Sequence, residues 1–234
     1  MDSATPHSKN VFRFPGLTHR VSIVGRTGSG KSHGGAWLLS NAHFDKQPYY
    51  IIDYKLEELL NSIPHLKEVG TGEKITDKPG LYIVHPTPDD ADEIEEFLRK
   101  IHAQTHTGLF IDEAYGIPRM SPAYKRILTQ GRSLHIPTYS VTQRPAFLNP
   151  FVLSEADFYH VFHLNQEADE KRVEGYLPEK LDVMLPEYHS RWYDVGKNAL
   201  FHLKPVPDSD SILTRFDDRL AKIHNIKKPK RFFI

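Results

Sequence analysis

Short apolar runs, each closed by a glycine, a turn residue or a charge, alternate with stretches of helical spacing through the first two thirds of the chain. Arg20-Val21-Ser22-Ile23-Val24, Tyr49-Tyr50-Ile51-Ile52-Asp53, Leu81-Tyr82-Ile83-Val84, Gly108-Leu109-Phe110-Ile111-Asp112-Glu113 and Thr138-Tyr139-Ser140-Val141-Thr142-Gln143 read as strands. Helices are predicted through Trp37, Leu38 and Leu39, from Thr87 to about Gln104, and from Pro122 to Ser133. For the second of these, Thr87 is expected as N-cap, with Pro88 at the first helical position and carboxylates at the positive end of the dipole. Segment 64–80, punctuated by glycine, proline and lysine, reads as surface loop and short helix. Beyond Pro150 the pattern predicts a strand over Phe158 to Leu164 and a charged helix over Gln166 to Tyr176. A hairpin of 191–195 and 199–203 follows, then an amphipathic helix on Ile212, Phe216, Leu220 and Ile223.

This alternation predicts an α/β fold with a mainly parallel sheet covered on both faces and ligand sites at the carboxyl ends of its strands. The expected organisation is an irregular arm over 1–19, a core over 20–165, an extension packed on it over 166–223, and a basic tail over 224–234.

Composition narrows the class. With 39% hydrophobic and 26% charged residues the chain can build a packed core. No run approaches the ~18 apolar residues of a membrane span, and the start lacks a basic and apolar leader, so a protein that is neither inserted nor exported is expected. The absence of cysteine excludes disulfides, thiolate metal sites and thiol nucleophiles, and agrees with a reducing compartment. Thirty basic residues balance thirty acidic ones, yet 215–234 holds seven Lys/Arg against two Asp/Glu. Any polyanion must be met by local patches.

The strongest chemical signal is Gly25-x4-Gly30-Lys31-Ser32, set between a strand and a helix. Fewer than about one chain in a hundred of this composition would match by chance, which leaves a plain glycine linker as the weak alternative. Inward-pointing amides of such a loop form an anion nest, and the following helix adds its positive end. Gly25, Arg26, Thr27, Gly28, Ser29, Gly30, Lys31, Ser32 and His33 are the candidate nucleotide-binding residues. Lys31 would reach the β- and γ-phosphates and Ser32 would ligate Mg²⁺. Hydrolysis also needs a second metal anchor and a base for the attacking water. Asp112, ending an apolar strand, suits the first and Glu113 the second. A solvated strand end is the alternative, and paired with the cradle the acids favour function. By resemblance to known P-loop families, strands inserted between the cradle and Asp112, together with a catalytic Glu, imply the ATPase branch rather than the kinase and GTPase branch.

The set Gly25 to Ser32, Ile51-Ile52-Asp53-Tyr54-Lys55, Leu109 to Glu113, Gly131-Arg132-Ser133 and Val141-Thr142-Gln143-Arg144-Pro145 resembles the FtsK/HerA superfamily of DNA-pumping ATPases across residues 20–165. Within it the chain is most similar to compact genome-packaging ATPases of tailless icosahedral viruses, many with an internal membrane. The resemblance implies a RecA-like P-loop fold of the ASCE type, ATP and Mg²⁺ as nucleotide and metal, and hydrolysis coupled to moving double-stranded DNA into a preformed capsid. It implies contacts to the DNA backbone rather than to bases, a homo-oligomeric ring, a capsid vertex or portal protein as a further partner, no membrane insertion, and a place in the host cytoplasm and at a virion vertex. It also implies that Gln143 senses the γ-phosphate and that Arg132 acts as an arginine finger in a neighbour's site. A small-molecule kinase and a nucleotide-gated structural ring component with little turnover are the alternatives.

Weaker features have blander readings. Asp53 ends a core strand near the expected nucleotide site, and Arg144 is left open. His102 and His106, one helical turn apart, read as surface histidines rather than metal ligands. The acidic cluster from Asp89 to Glu96 reads as a solvated helix face. Lys227-Lys228-Pro229-Lys230-Arg231 and the 64–80 loop are candidates for meeting DNA.

Overall fold

The computed structural model describes residues 11–88 and 90–226. Residues 1–10 of the expected arm, Asp89 and the basic run Lys227 to Arg231 lie outside the described residues.

Seven strands run parallel: β1 (Arg20–Val24), β2 (Pro48–Asp53), β3 (Lys67–Glu68), β4 (Gly80–Val84), β5 (Gly108–Asp112), β6 (Thr138–Thr142) and β7 (Phe158–Val161). The hairpin strands β8 (Ser190–Asp194) and β9 (Ala199–Leu203) are antiparallel and continue the same sheet beyond β7, giving the order β3-β4-β2-β5-β6-β1-β7-β8-β9. The helices among the described residues are α1 (Lys31–Ser40), α2 (Glu58–Asn61), α3 (Ala91–Gln104), α4 (Pro122–Gln130), α5 (Pro150–Ser154), α6 (Glu167–Glu174) and α7 (Ser209–Ile223). None is long and apolar enough to cross a membrane.

Side chains alternate across the sheet, so each central strand feeds two cores. Tyr49 and Ile51 pack with Leu38 and Leu39 of α1 and with Ile212, Phe216 and Leu220 of α7. Tyr50 and Ile52 pack with Phe97 and Ile101 of α3 and with Tyr124 and Ile127 of α4. Burial on both faces is why these strands read as unbroken apolar runs. Fully burying one such side chain is worth about 1.5–3 kcal/mol, so Phe216 and Leu220 anchor the C-terminal helix to the sheet. Two glycines bring α1 close. A Cβ on Gly35 would stand 3.0 Å from the Phe110 ring, and one on Gly34 would stand 2.5 Å from that of Phe162.

Several boundaries differ from expectation. Helix α3 starts at Ala91 with Asp90, not Thr87, as its N-cap: the Asp90 carboxylate accepts the Glu93 amide at 2.9 Å. Glu93 in turn accepts the Thr87 amide at 2.9 Å, which holds Thr87 outside the helix. Helix α4 ends at Gln130 rather than Ser133, because at Gly131 the chain doubles back and its carbonyl accepts the Ile136 amide at 2.8 Å. A side chain there would meet the Ile127 carbonyl oxygen at 2.4 Å. Strand β7 stops at Val161 and α6 spans Glu167–Glu174, each shorter than expected. Short elements α2, β3 and α5 carried too few residues to show a period.

Candidate active site

Strand β1 delivers the chain into a loop that begins with the Gly25 amide donating to the Thr142 carbonyl at 3.2 Å and the Arg26 amide donating to the His163 carbonyl at 2.8 Å. Those bonds seat the loop between β6 and the end of β7. Gly28 (φ 76°) and Gly30 (φ 92°) take the left-handed conformation that glycine adopts without strain. Gly30 caps α1 without a side chain, and among the described residues the amides of Lys31, Ser32 and His33 find no protein acceptor. A helix start bare of protein caps presents donors and the dipole's positive end to an anion. Ser32 is half-buried in that first turn, while the His33 ring turns aside to the Pro207 carbonyl at 2.8 Å.

The acids arrive from β5, two strands from β1. In an unbroken strand Asp112 and Glu113 would point to opposite faces. Glu113 instead adopts φ 52° and ψ 59°, a left-handed geometry that costs a non-glycine residue about 1–2 kcal/mol. Its carboxylate lies 3.6 Å from the Lys31 ammonium, with both groups buried. The same Oε1 accepts a hydrogen bond from Lys55. On Lys55, burial is the largest single influence and works against the charge, but the hydrogen bond to Glu113 together with the charges of Glu113, Tyr115 and Asp112 raises the pKa overall.

Asp112 is 1% exposed, and neither carboxylate oxygen has a hydrogen-bond partner in the protein. Burial first, then the charges of Glu113, Glu57 and Asp53, push its carboxyl up to about 7 despite the pull of Lys31. Buried charges are ordinarily paired or coordinate a metal. An unpaired carboxylate within electrostatic range of Lys31, which opens the helical turn that also carries the Ser32 hydroxyl, fits Mg²⁺, which takes one or two protein groups and completes its shell with phosphate and water. Gln143, at the end of β6 between the acid strand and the loop strand, accepts a hydrogen bond from Thr27, so loop and sensor position meet.

No protein-family model matches the chain. The DNA packaging ATPase P9 of Enterobacteria phage PRD1 is 38% identical over 218 residues, which cover 88% of this chain and 96% of the phage protein. The chain belongs to the viral DNA-packaging ATPases. The fold agrees. The genome packaging NTPase B204 of Sulfolobus turreted icosahedral virus 2, solved with AMPPCP, superposes with a TM-score of 0.66 at 22% identity, covering 82% of this chain and all 100% of that one. EssC (ATPases 2 and 3) from Geobacillus thermodenitrificans gives 0.59 at 14% identity over 91% of this chain and 46% of that one.

In this packaging ATPase, Arg132 stands apart from the loop. It is exposed in the turn before β6, close enough to His19 that its charge adds to the burial that lowers that imidazole's pKa. His19 precedes β1 and Lys31 follows it, so the five-residue strand separates Arg132 from its own loop by roughly 16 Å. Asp53 accepts the amides of Lys55 and Glu57 at 3.0 Å each and the Asn61 side chain at 2.8 Å, which shapes the turn that presents Lys55. Arg144 lies 3.3 Å from Asp169 with its guanidinium over the Phe147 ring. His102 bonds Gln130, and His106 stacks on His135. In the acidic cluster Glu95 accepts the Ser121 hydroxyl and the Ala123 amide, tying α3 to α4. Lys55 is the site residue to which sequence reasoning gave no role. The available signal was its place just after β2, the strand paired with β5 through Asp53 and Asp112.

Proposed function

We propose that the chain forms a homo-oligomeric ring that hydrolyses ATP to drive double-stranded DNA through a central channel into a preformed capsid. The observation that carries this reading is the meeting of Lys31, Asp112 and Glu113 at the mouth of the Gly25 to Ser32 loop: an ammonium, a partnerless carboxylate and a carboxylate in strained backbone geometry. Family membership supplies the cargo class.

In this reading the bare amides of the loop and of the first turn of α1 hold the triphosphate, and Lys31 leaves Glu113 for the β- and γ-phosphates. Ser32 and Asp112 would hold Mg²⁺, which supplies charge neutralisation between the phosphates. Glu113 orients a water in line with the γ-phosphorus and takes its proton as the bond to the ADP oxygen breaks. Gln143 reports on that phosphate to Thr27. Arg132, out of reach of its own loop, completes the site of the next subunit and stabilises charge on the transferring group. DNA is gripped by its backbone, because a motor that moves along any sequence cannot depend on base edges. The ring works in the host cytoplasm, docked on a capsid vertex or portal protein.

The test is ATP turnover with and without linear duplex DNA for the parent, Lys31→Ala and Arg132→Ala. Each variant alone is expected to be inactive. Mixing the two restores part of the turnover, since an Arg132→Ala subunit offers an intact loop to its Lys31→Ala neighbour's arginine. Mixtures that stay dead refute the finger, and turnover that survives Lys31→Ala refutes the site.

A further inference from the structure

Beside the loop lies a cavity of about 350 Å³ lined by Gly30, His33, Phe162, Tyr188, Pro205 and Val206. Its size falls within the ~300–1,000 Å³ of small-molecule sites. Two of its walls are Gly30 of the loop and His33 in the first turn of α1, so a molecule whose phosphates occupy the loop has its remaining part next to this space. The other walls are two aromatic rings and two aliphatic side chains brought from the end of β7 and from the extension after it.

Tyr188 is the most unusual of these. It is half exposed, and its backbone sits at φ 58°, a conformation uncommon for a bulky residue. A Cβ built on Gly30 would stand 3.2 Å from the Tyr188 ring and 3.7 Å from that of Phe162. The facing wall is fastened too: His33 bonds the Pro207 carbonyl at 2.8 Å, next to Pro205 and Val206.

We propose that this cavity receives the purine base of the nucleotide, with the ring stacked against Tyr188. The proposal rests on the reading of the Gly25 to Ser32 loop as the triphosphate cradle. Apart from the Tyr188 hydroxyl and the His33 ring, already bonded to Pro207, the lining side chains carry no polar atom. Recognition is therefore of the face and size of the base rather than of its edge, and adenine and guanine are accepted alike. A second cavity of about 300 Å³ that shares Tyr188, and is lined by Arg26, Gly28 and Ser29 of the loop as well as Leu185 and Glu187, is the competing place for the base.

The experiment measures affinity, not turnover, on the full chain with Mg²⁺ and two probes: AMPPCP, and inorganic tripolyphosphate, which has no base. Tyr188→Ala is expected to weaken AMPPCP about tenfold, the size of one lost base–aromatic stack, and to leave tripolyphosphate unchanged, while Tyr188→Phe behaves as the parent. Pro205→Trp, at an exposed position of the same wall, weakens AMPPCP, and Leu185→Trp does not. GTP and ATP displace AMPPCP within about tenfold of one another. Equal weakening of both probes by Tyr188→Ala, or no weakening of either, overturns the proposal. So does loss of AMPPCP through Leu185→Trp in place of Pro205→Trp, or a hundredfold preference between ATP and GTP. Lys31→Ala separates the two readings: if tripolyphosphate binding survives it, the loop assignment fails rather than the base site.

Discussion

Asp112→Asn in the nucleotide-free protein is the sharpest probe of the site, because it removes a charge that the fold buries without a partner. The Asp112 carboxyl has a pKa of about 7 in the native chain against 3.8 for the unperturbed group, the main cause being burial. Between those values the native state holds a proton that the unfolded state has lost, so this group's contribution to stability falls as pH rises, by up to about 1.4 kcal/mol per pH unit. Roughly 4 kcal/mol is forfeited above pH 7, an upper figure because relaxation and water entry soften the burial of a charge. About 2.5 kcal/mol of it develops between pH 5 and pH 8. Asparagine cannot ionise, so Asp112→Asn should gain about 2.5 kcal/mol relative to the parent over that interval, whatever the isosteric change itself does at pH 5. In a chain of this length that is a relative shift in Tm of roughly 5–10 °C. The measurement is thermal unfolding of both proteins in EDTA at pH 5 and pH 8. His160 pulls the parent's profile the other way below pH 6.5, so the difference between variants is the readout. Adding Mg²⁺ with AMPPCP should close the gap, since a bound cation favours the charged carboxylate. Parallel profiles for the two proteins would mean that Asp112 ionises normally and is not a buried, unpaired acid suited to a metal.

Glu113→Gln is expected to cut ATP turnover by about 10²–10⁴-fold while AMPPCP affinity stays within a few-fold of the parent; undiminished turnover would remove Glu113 from the chemistry. His160 is buried, bonds Ser190 at 2.8 Å, and is lowered by burial to about 3. Its native pKa lies below its unfolded one, so the stability tied to its neutral form is present above pH 6.5 and is lost as pH falls toward 3. Ring NMR should show a neutral imidazole down to about pH 4, and a protonation midpoint above 5 would contradict the burial argument.

Much of the site was written locally. The loop needs only consecutive residues: glycines that tolerate left-handed φ at positions 28 and 30, and a lysine and a serine opening a helix. Central strands buried on two faces announce themselves by unbroken apolarity, and hence the parallel sheet was legible too, with the candidate site set at the carboxyl ends of its strands. The helix start at Asp90 was not, because Thr87 and Asp90 both suit an N-cap and the choice turned on which carboxylate and amide closed the ring.

Residues adjacent along the chain thus carry the chemistry of the candidate site: the glycine loop, the acid pair and the alternation that sets them at one edge. The tertiary structure alone decided which distant groups share that edge. Lys55 reaches Glu113 only because β2 lies beside β5, and Tyr188 covers Gly30 only because the hairpin continues the sheet past β7. Local pattern reports how each segment meets water and the core, whereas the order of strands is settled by how the helices cover both faces, and no short stretch of sequence holds that information.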